Sequence, residues 1–186
     1  MQHKLIKKYS FFIAFFIASL TSAQHSSKMN VVVDAENKML HIKQSLTYNN
    51  TSNDTLSEII INDWNHAFSS KNSLLALHFS DEFIRAFHLA KEIDRGYTKI
   101  QLIIDAHQNS IRWERQNKRI DLVKVILNSP ILPCKSETLF LEYSVKIPNE
   151  KFTKYGFDKD GNLILKHWYL SPSQYKNKKF IFNTFS

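Results

Sequence analysis

The sequence predicts a mainly β protein: an antiparallel β-sandwich with one short helix near residues 73–90. Three observations point there. Apolar residues recur at alternate positions in run after run, the period of a strand with one buried face. Polar turn clusters, notably Ala35–Lys38, Asn49–Asp54 and Asp160–Asn162, separate these runs so closely that neighbouring strands must pair antiparallel. A hydrophobic content of 43% with 23% charged residues, over 186 residues, supplies one real core and excludes wholesale disorder.

The elements follow in order. Lys28–Asp34 is a short Val-rich strand, and a turn at 35–38 leads into Met39–Asn49. There Leu40, Ile42, Leu46 and Tyr48 share one face, and His41, Lys43, Ser45 and Thr47 the other. After Asn49–Asp54, Leu56–Trp64 forms the next strand. From Ser73 to Ala90 the spacing of Phe79, Phe83, Ile84 and Phe87 is helical, with Asp81 and Arg85 as an i,i+4 pair and Gly96 as a stop. Tyr97–Ala106 alternates Thr98, Ile100, Leu102 and Ile104 against Tyr97, Lys99, Gln101 and Ile103. Strands at Ile111–Arg115 and Leu122–Leu127 follow. In Thr138–Ile147, Leu139, Leu141, Tyr143, Val145 and Ile147 all face one way. Asp160–Asn162 turns the chain into a last strand, Leu163–Leu170.

Charge and composition narrow the function. The formal net charge is +8, but residues 1–23 and 176–186 each carry three Lys and no acid. The stretch between holds the other 19 bases and all 17 acids, a net of +2. A nucleic-acid reader needs a basic stripe on the folded body, so no nucleic-acid partner is expected. Three Gly leave no phosphate-cradling loop, and the single Cys134 excludes an internal disulfide and a Cys-rich zinc site. Residues 1–23 read as a signal peptide: Lys4, Lys7 and Lys8, the apolar run Phe11–Leu20, then the small residues Thr21–Ala23. Ten apolar residues rise about 15 Å as a helix, too short for the roughly 30 Å hydrocarbon core. The mature chain is expected to be exported, periplasmic or extracellular, with no stable membrane span after cleavage.

Catalytic signatures are sparse. No His is followed by Glu, so H-E-x-x-H is absent. His78 and Glu82 share a helical face, but two ligands make a weak zinc site, and a solvated helix face is the preferred reading. His88 reads as a structural, partly buried His. Cys134, in a turn with no His partner in sight, reads as an incidental thiol. Asn49, Asn50 and Asn53 stand in N-x-[ST] sequons that turn composition alone produces.

The segment YNNTSNDTLSEIIINDWNHAF, Tyr48–Phe68, resembles the N-terminal region of exported bacterial zinc metallopeptidases of the aminopeptidase N family, the gluzincins. The resemblance continues through Phe83–Tyr97, Trp113–Arg115, Asp121–Val125, Ser144–Pro148, Phe152–Asp158 and Trp168–Pro172, covering most of residues 28–175. It implies a saddle-shaped β-sandwich domain over residues 24–175. It also implies that zinc, H-E-x-x-H and the general base belong to a catalytic domain absent from this chain. No catalytic residue, metal ligand or cofactor can therefore be assigned here, and the chain alone is expected not to be an enzyme. By the same resemblance the partners are that missing catalytic domain and a peptide substrate. The position that would bind the substrate's free amine, just before the Trp-Tyr pair, is His167. A Gln or Glu is expected there, and a neutral His is a weaker electrostatic partner for an amine.

Residues 176–186, KNKKFIFNTFS, show no periodicity and no acid, and are read as an irregular basic tail. Out-of-frame reading of an AT-rich gene produces such a composition; a basic-aromatic tail that touches a membrane or partner is the alternative. Two functional classes follow: a truncated, non-catalytic N-terminal domain of an exported zinc aminopeptidase, or a free-standing exported β-sandwich that binds a partner.

Overall fold

The computed structural model describes residues 25–182, so the signal peptide expected at residues 1–23 lies outside the described residues. Two four-stranded antiparallel sheets dominate. The first runs in the order β1 (His25–Asp34), β2 (Met39–Asn49), β7 (Ser136–Lys146), β4 (Tyr97–Ile104). The second runs β10 (Ser171–Pro172), β3 (Leu56–Asn62), β6 (Arg119–Ile131), β5 (Arg112–Gln116). Two small hairpins complete the strands: β8 (Gly156–Phe157) with β9 (Leu163–Ile164), and β11 (Gln174–Lys176) with β12 (Lys179–Ile181). Helices α1 (Leu74–Asp81) and α2 (Arg85–Leu89) and three 3-10 turns fill the connections.

Alternation in sequence becomes burial wherever a strand is regular. Leu40, Ile42, Leu46 and Tyr48 of β2 are buried opposite Val145, Tyr143, Leu139 and Glu137 of β7. Ile59, Ile61, Val123 and Val125 of the second sheet join the same core cluster, so the two sheets share one core. The polar exception, Gln44, is fully used. Tyr143 Oη donates to Gln44 Oε1 at 2.6 Å, and Gln44 Nε2 donates to Ser27 Oγ and to the Leu170 carbonyl. The Leu170 N–H donates back to Tyr143 Oη at 3.2 Å. The C-terminal segment is thereby fastened to the inner face of the first sheet, with every polar atom of the Gln44 side chain paired.

Five expectations need correction. The alternation of β4 breaks at a bulge between Ile100 and Leu102. Thr98 is buried, but beyond the bulge Ile103 turns inward at 1% exposure and Leu102, of the same row as Thr98, outward at 37%. The single helix near residues 73–90 is two. Its first half ends in a Schellman turn: the Ile84 N–H donates to the Phe79 carbonyl, and the Phe83 N–H to the Ser80 carbonyl. Phe83 occupies the left-handed position at φ 59° and is 86% exposed, so it leaves the core and Asp81 and Arg85 fall on separate helices. The strand expected at Leu56–Trp64 stops at Asn62, because Asp63 caps a 3-10 turn over Trp64–Ser69. The last strand, Leu163–Leu170, shrinks to Leu163–Ile164; His167, at φ 50°, bends the chain where a strand would run straight. Within the segment read as an irregular tail, Lys179–Ile181 pairs with Gln174–Lys176. Asn177 and Lys178 both adopt positive φ, the backbone of a tight hairpin turn.

Candidate functional site

Asp63 sits at the end of β3, where the second sheet gives way to the helical turns. Its carboxylate is 2% exposed and fully engaged. Arg115 Nη2 donates to Oδ2 at 2.6 Å and Thr98 Oγ1 to Oδ1 at 2.7 Å, with the His66 N–H on the same oxygen. The Asp63 N–H donates to the Asp121 carbonyl at 2.7 Å. Asn65 extends the network. Its Nδ2 donates to Thr98 Oγ1 and the Lys146 carbonyl, and its Oδ1 accepts from Tyr155 Oη at 2.8 Å. The His66 ring closes it: Nδ1 accepts the Thr98 N–H, which fixes that nitrogen as unprotonated. Burial, and then the nearby Arg115 charge, push the His66 pKa below its ordinary value. Burial drives the Tyr155 hydroxyl far up, so it remains a donor. Gly96 lets the chain pass close by; a Cβ there would meet Pro148 Cδ at 2.8 Å and the Lys146 carbonyl at 2.9 Å.

Trp64 stands on this node. Its ring meets Phe68 and Tyr155 edge-on at 5.1 and 5.6 Å. On its far side opens a cleft of about 750 Å³, lined by Trp64, His78, Glu82, Lys166, His167 and Tyr169 among others. His167 lies at the rim, exposed, with its ring 6.1 Å from that of Trp64 at 66°. His78 Nε2 and Glu82 Oε1 face each other at 3.3 Å across one helical turn. The cleft thus combines aromatic walls with imidazole, ammonium and carboxylate groups. It can stack an apolar side chain and hydrogen-bond a polar head.

The sequence-derived candidates are placed as follows. His167 and the His78–Glu82 pair line the same cleft, a juxtaposition the sequence did not suggest. The resemblance assigns zinc to a catalytic domain outside this chain; among the described residues no group of three or more His, Cys, Asp or Glu is placed to hold a metal. His88 is partly buried, with Nε2 facing the Ala76 carbonyl at 3.0 Å. Cys134 is exposed in the β6–β7 turn. Of the sequon residues, Asn50 is buried: its Nδ2 donates to the Asp54, Ile131 and Leu132 carbonyls, locking one turn to another. The Asp63 node escaped sequence reading, because its members are scattered from residue 63 to residue 155. A signal existed only in hindsight, as Asp63, Asn65, Arg115, Asp121 and Tyr155 each fall inside a segment that carries the resemblance.

No protein-family model matches this sequence, and no curated protein does. Among solved structures, the chain is similar to an M1 zinc metallopeptidase from Deinococcus radiodurans, at 16% identity and a TM-score of 0.35, over 59% of this chain and 17% of that one. A mutant from the same organism, bound to a Tyr-Ser-Ala substrate, aligns at 13% identity and a TM-score of 0.38, over 65% and 19%. A two-domain M1 zinc metallopeptidase mutant bound to L-tryptophan aligns at 16% identity and a TM-score of 0.39, over 66% and 19%. TM-scores of this size do not establish a common fold, and the chain spans less than a fifth of each of these proteins. Among the described residues no helix is long and apolar enough to cross a membrane.

Proposed function

We propose that this chain serves as the N-terminal β domain of an exported zinc metallopeptidase of the aminopeptidase N type. In that role it is non-catalytic by itself and forms one wall of a cleft for peptides. One observation carries the reading. The segments that resemble that family, far apart in sequence, meet in space: Asp63 and Asn65, Arg115, Asp121, the Lys146 carbonyl and Tyr155 form one hydrogen-bonded node. The node holds Trp64 beneath the cleft, and His167 at the rim is the group proposed to meet a free amine there. An imidazole nitrogen can accept one hydrogen bond from an ammonium but brings no negative charge to meet it, so binding through it is weak. Zinc and the general base come from a separate catalytic domain.

An NMR titration tests the cleft role. A tripeptide amide with a free N-terminus should shift the Trp64 indole and His167 ring signals, and its N-acetylated counterpart should not. Equal shifts with both peptides, or none with either, would remove the amine-binding role. Metal content after dialysis and a panel of aminoacyl reporters test the rest. One tightly held zinc per chain with chelator-sensitive hydrolysis would overturn the non-catalytic reading. A free-standing binding module is the second reading, and the C-terminal hairpin favours it. Tyr175 and Phe180 pack against the core, and Tyr175 Oη donates to Asp54 Oδ2 at 3.2 Å.

A further inference from the structure

We infer that the outer edge of β1 pairs with the same strand of a second copy of this chain, antiparallel about a two-fold axis through Val31, joining two first sheets into one. The four outer strands of the two sheets are not alike. β4 is bulged, β5 is five residues long with a register shift at its end, and β10 is two residues long and contains Pro172. These are the devices that keep an edge from pairing. β1 has none of them. Its ten residues pair with β2 in unbroken register, without Pro or bulge, and among the described residues its other side pairs with no strand. Its middle is apolar and open: Val31, Val32 and Val33 are 37%, 66% and 54% exposed. An unblunted edge of this kind is a template for another strand.

The occupant follows from charge. A two-fold axis perpendicular to the sheet keeps each residue on its own face, so the register can slip only in steps that change the centre by a whole residue. Centred on Val31, Lys28 stands opposite Asp34 of the second copy, and Asp34 opposite its Lys28, on one face. Met29 then meets Val33 and Asn30 meets Val32. Centred on residue 30 or 32, neither charge meets its opposite. The strand is therefore complementary to itself in one register, with two opposite-charge cross-strand pairs.

Sedimentation velocity on the full chain over a concentration series tests this. A concentration-dependent dimer is expected. Lys28→Asp sets two acids against two acids and should weaken dimerisation at least about tenfold, with Asp34→Lys doing the same with bases. Mixing the two variants should restore a dimer, because each then offers the other its opposite charge. A chain that stays monomeric at the highest soluble concentration overturns the proposal, and so does a dimer indifferent to Lys28→Asp, which would place the contact elsewhere. Slow hydrogen exchange of the β1 edge in a monomer overturns it too, since the edge would then be covered from within the chain. None of these outcomes depends on the peptide cleft.

Discussion

Asp63→Asn is the sharpest test of the buried node. Asparagine keeps the shape and one acceptor oxygen, so Thr98 Oγ1 and the His66 N–H retain their partner. What is lost is the charge that faces Arg115 Nη2 at 2.6 Å, replaced by an amide that is itself a donor. The Asp63 side chain is 2% exposed and that of Arg115 17%, so water cannot take over. Removing one partner of such a pair costs about 3–5 kcal/mol, because the other charge stays buried and uncompensated. Against a total stability of about 5–15 kcal/mol, that is a large fraction. With a urea slope of about 2 kcal/mol/M, the unfolding midpoint should fall by about 1.5–2.5 M. Urea is the right denaturant, since it is uncharged and does not screen the pair. Adding Arg115→Met removes the stranded charge and should recover part of the loss. A single variant that costs less than about 1 kcal/mol, or a double variant as weak as the two losses summed, would refute the claim that the pair is buried and coupled.

Other perturbations address the core, the strained turn, pH and the tail. Leu141→Ala should cost about 2–5 kcal/mol by chemical denaturation, since the side chain is buried in the shared core; a loss below about 0.5 kcal/mol would mean its face is wrong. Phe83→Gly should raise stability by up to about 1 kcal/mol, because it relieves a left-handed phenylalanine whose side chain is largely exposed; destabilisation would show that Phe83 holds a contact. Burial lowers the pKa of His25 and His66 in the fold. Both contribute stability that is complete above their unfolded pKa of about 6.5 and is lost as pH falls through their lower folded values. The melting temperature should therefore drop between about pH 7 and pH 5, and less so in His66→Asn, which keeps an acceptor for the Thr98 N–H; a flat profile would contradict this. Deleting residues 176–186 should cost about 1–2 kcal/mol, as half-buried Phe180 is lost from Tyr175; an unchanged melting temperature would show that the tail is dispensable for the fold.

The sheets were legible where period and geometry agree. In β2 and β7 the alternation of Leu40, Ile42, Leu139 and Leu141 needs no information beyond the pleat, and their burial follows it. In β4 the same rule fails after Ile100, because a bulge inserts one residue and exchanges the faces. Nothing in Thr98–Ile104 marks that bulge, since Leu102 and Ile103 are both apolar. The helix break at Phe83 is hidden for a similar reason. Helical spacing puts Phe83 with Phe79 and Phe87, and a left-handed position is usually announced by Gly or Asn, not by an aromatic residue. Leu163–Leu170 misled by its composition, which is apolar enough for a strand while the backbone at His167 turns away. As for the site, the sequence supplied His167 and the His78–Glu82 pair as separate weak signals. Only the fold brings them to one cleft, and only the fold brings Arg115 to Asp63 across 52 residues.

The same geometry separates stability from recognition. Residues 170–173 are tied to both sheets: Leu170 to Gln44 and Tyr143, Ser171 and Pro172 to β3, and the Ser173 N–H to the Ile60 carbonyl. Together with the Asp63 node they fix the floor of the cleft at Trp64. The rim just upstream is different, with Ile164, Leu165, Lys166, His167 and Tyr169 all exposed. A partner that closes the cleft, whether a catalytic domain or a peptide, would bury apolar rim surface against a floor already in place. The cost of ordering the floor has been met by folding, and only the rim side chains have to be fixed on binding. Changes at Asp63, Arg115 or Tyr155 should therefore lower stability and leave ligand preference alone. Changes at Lys166, His167 or Tyr169 should alter preference at nearly constant stability, because exposed positions contribute little to the fold. On the proposed reading, the residues that would set what the cleft binds lie in the stretch where strand periodicity fails.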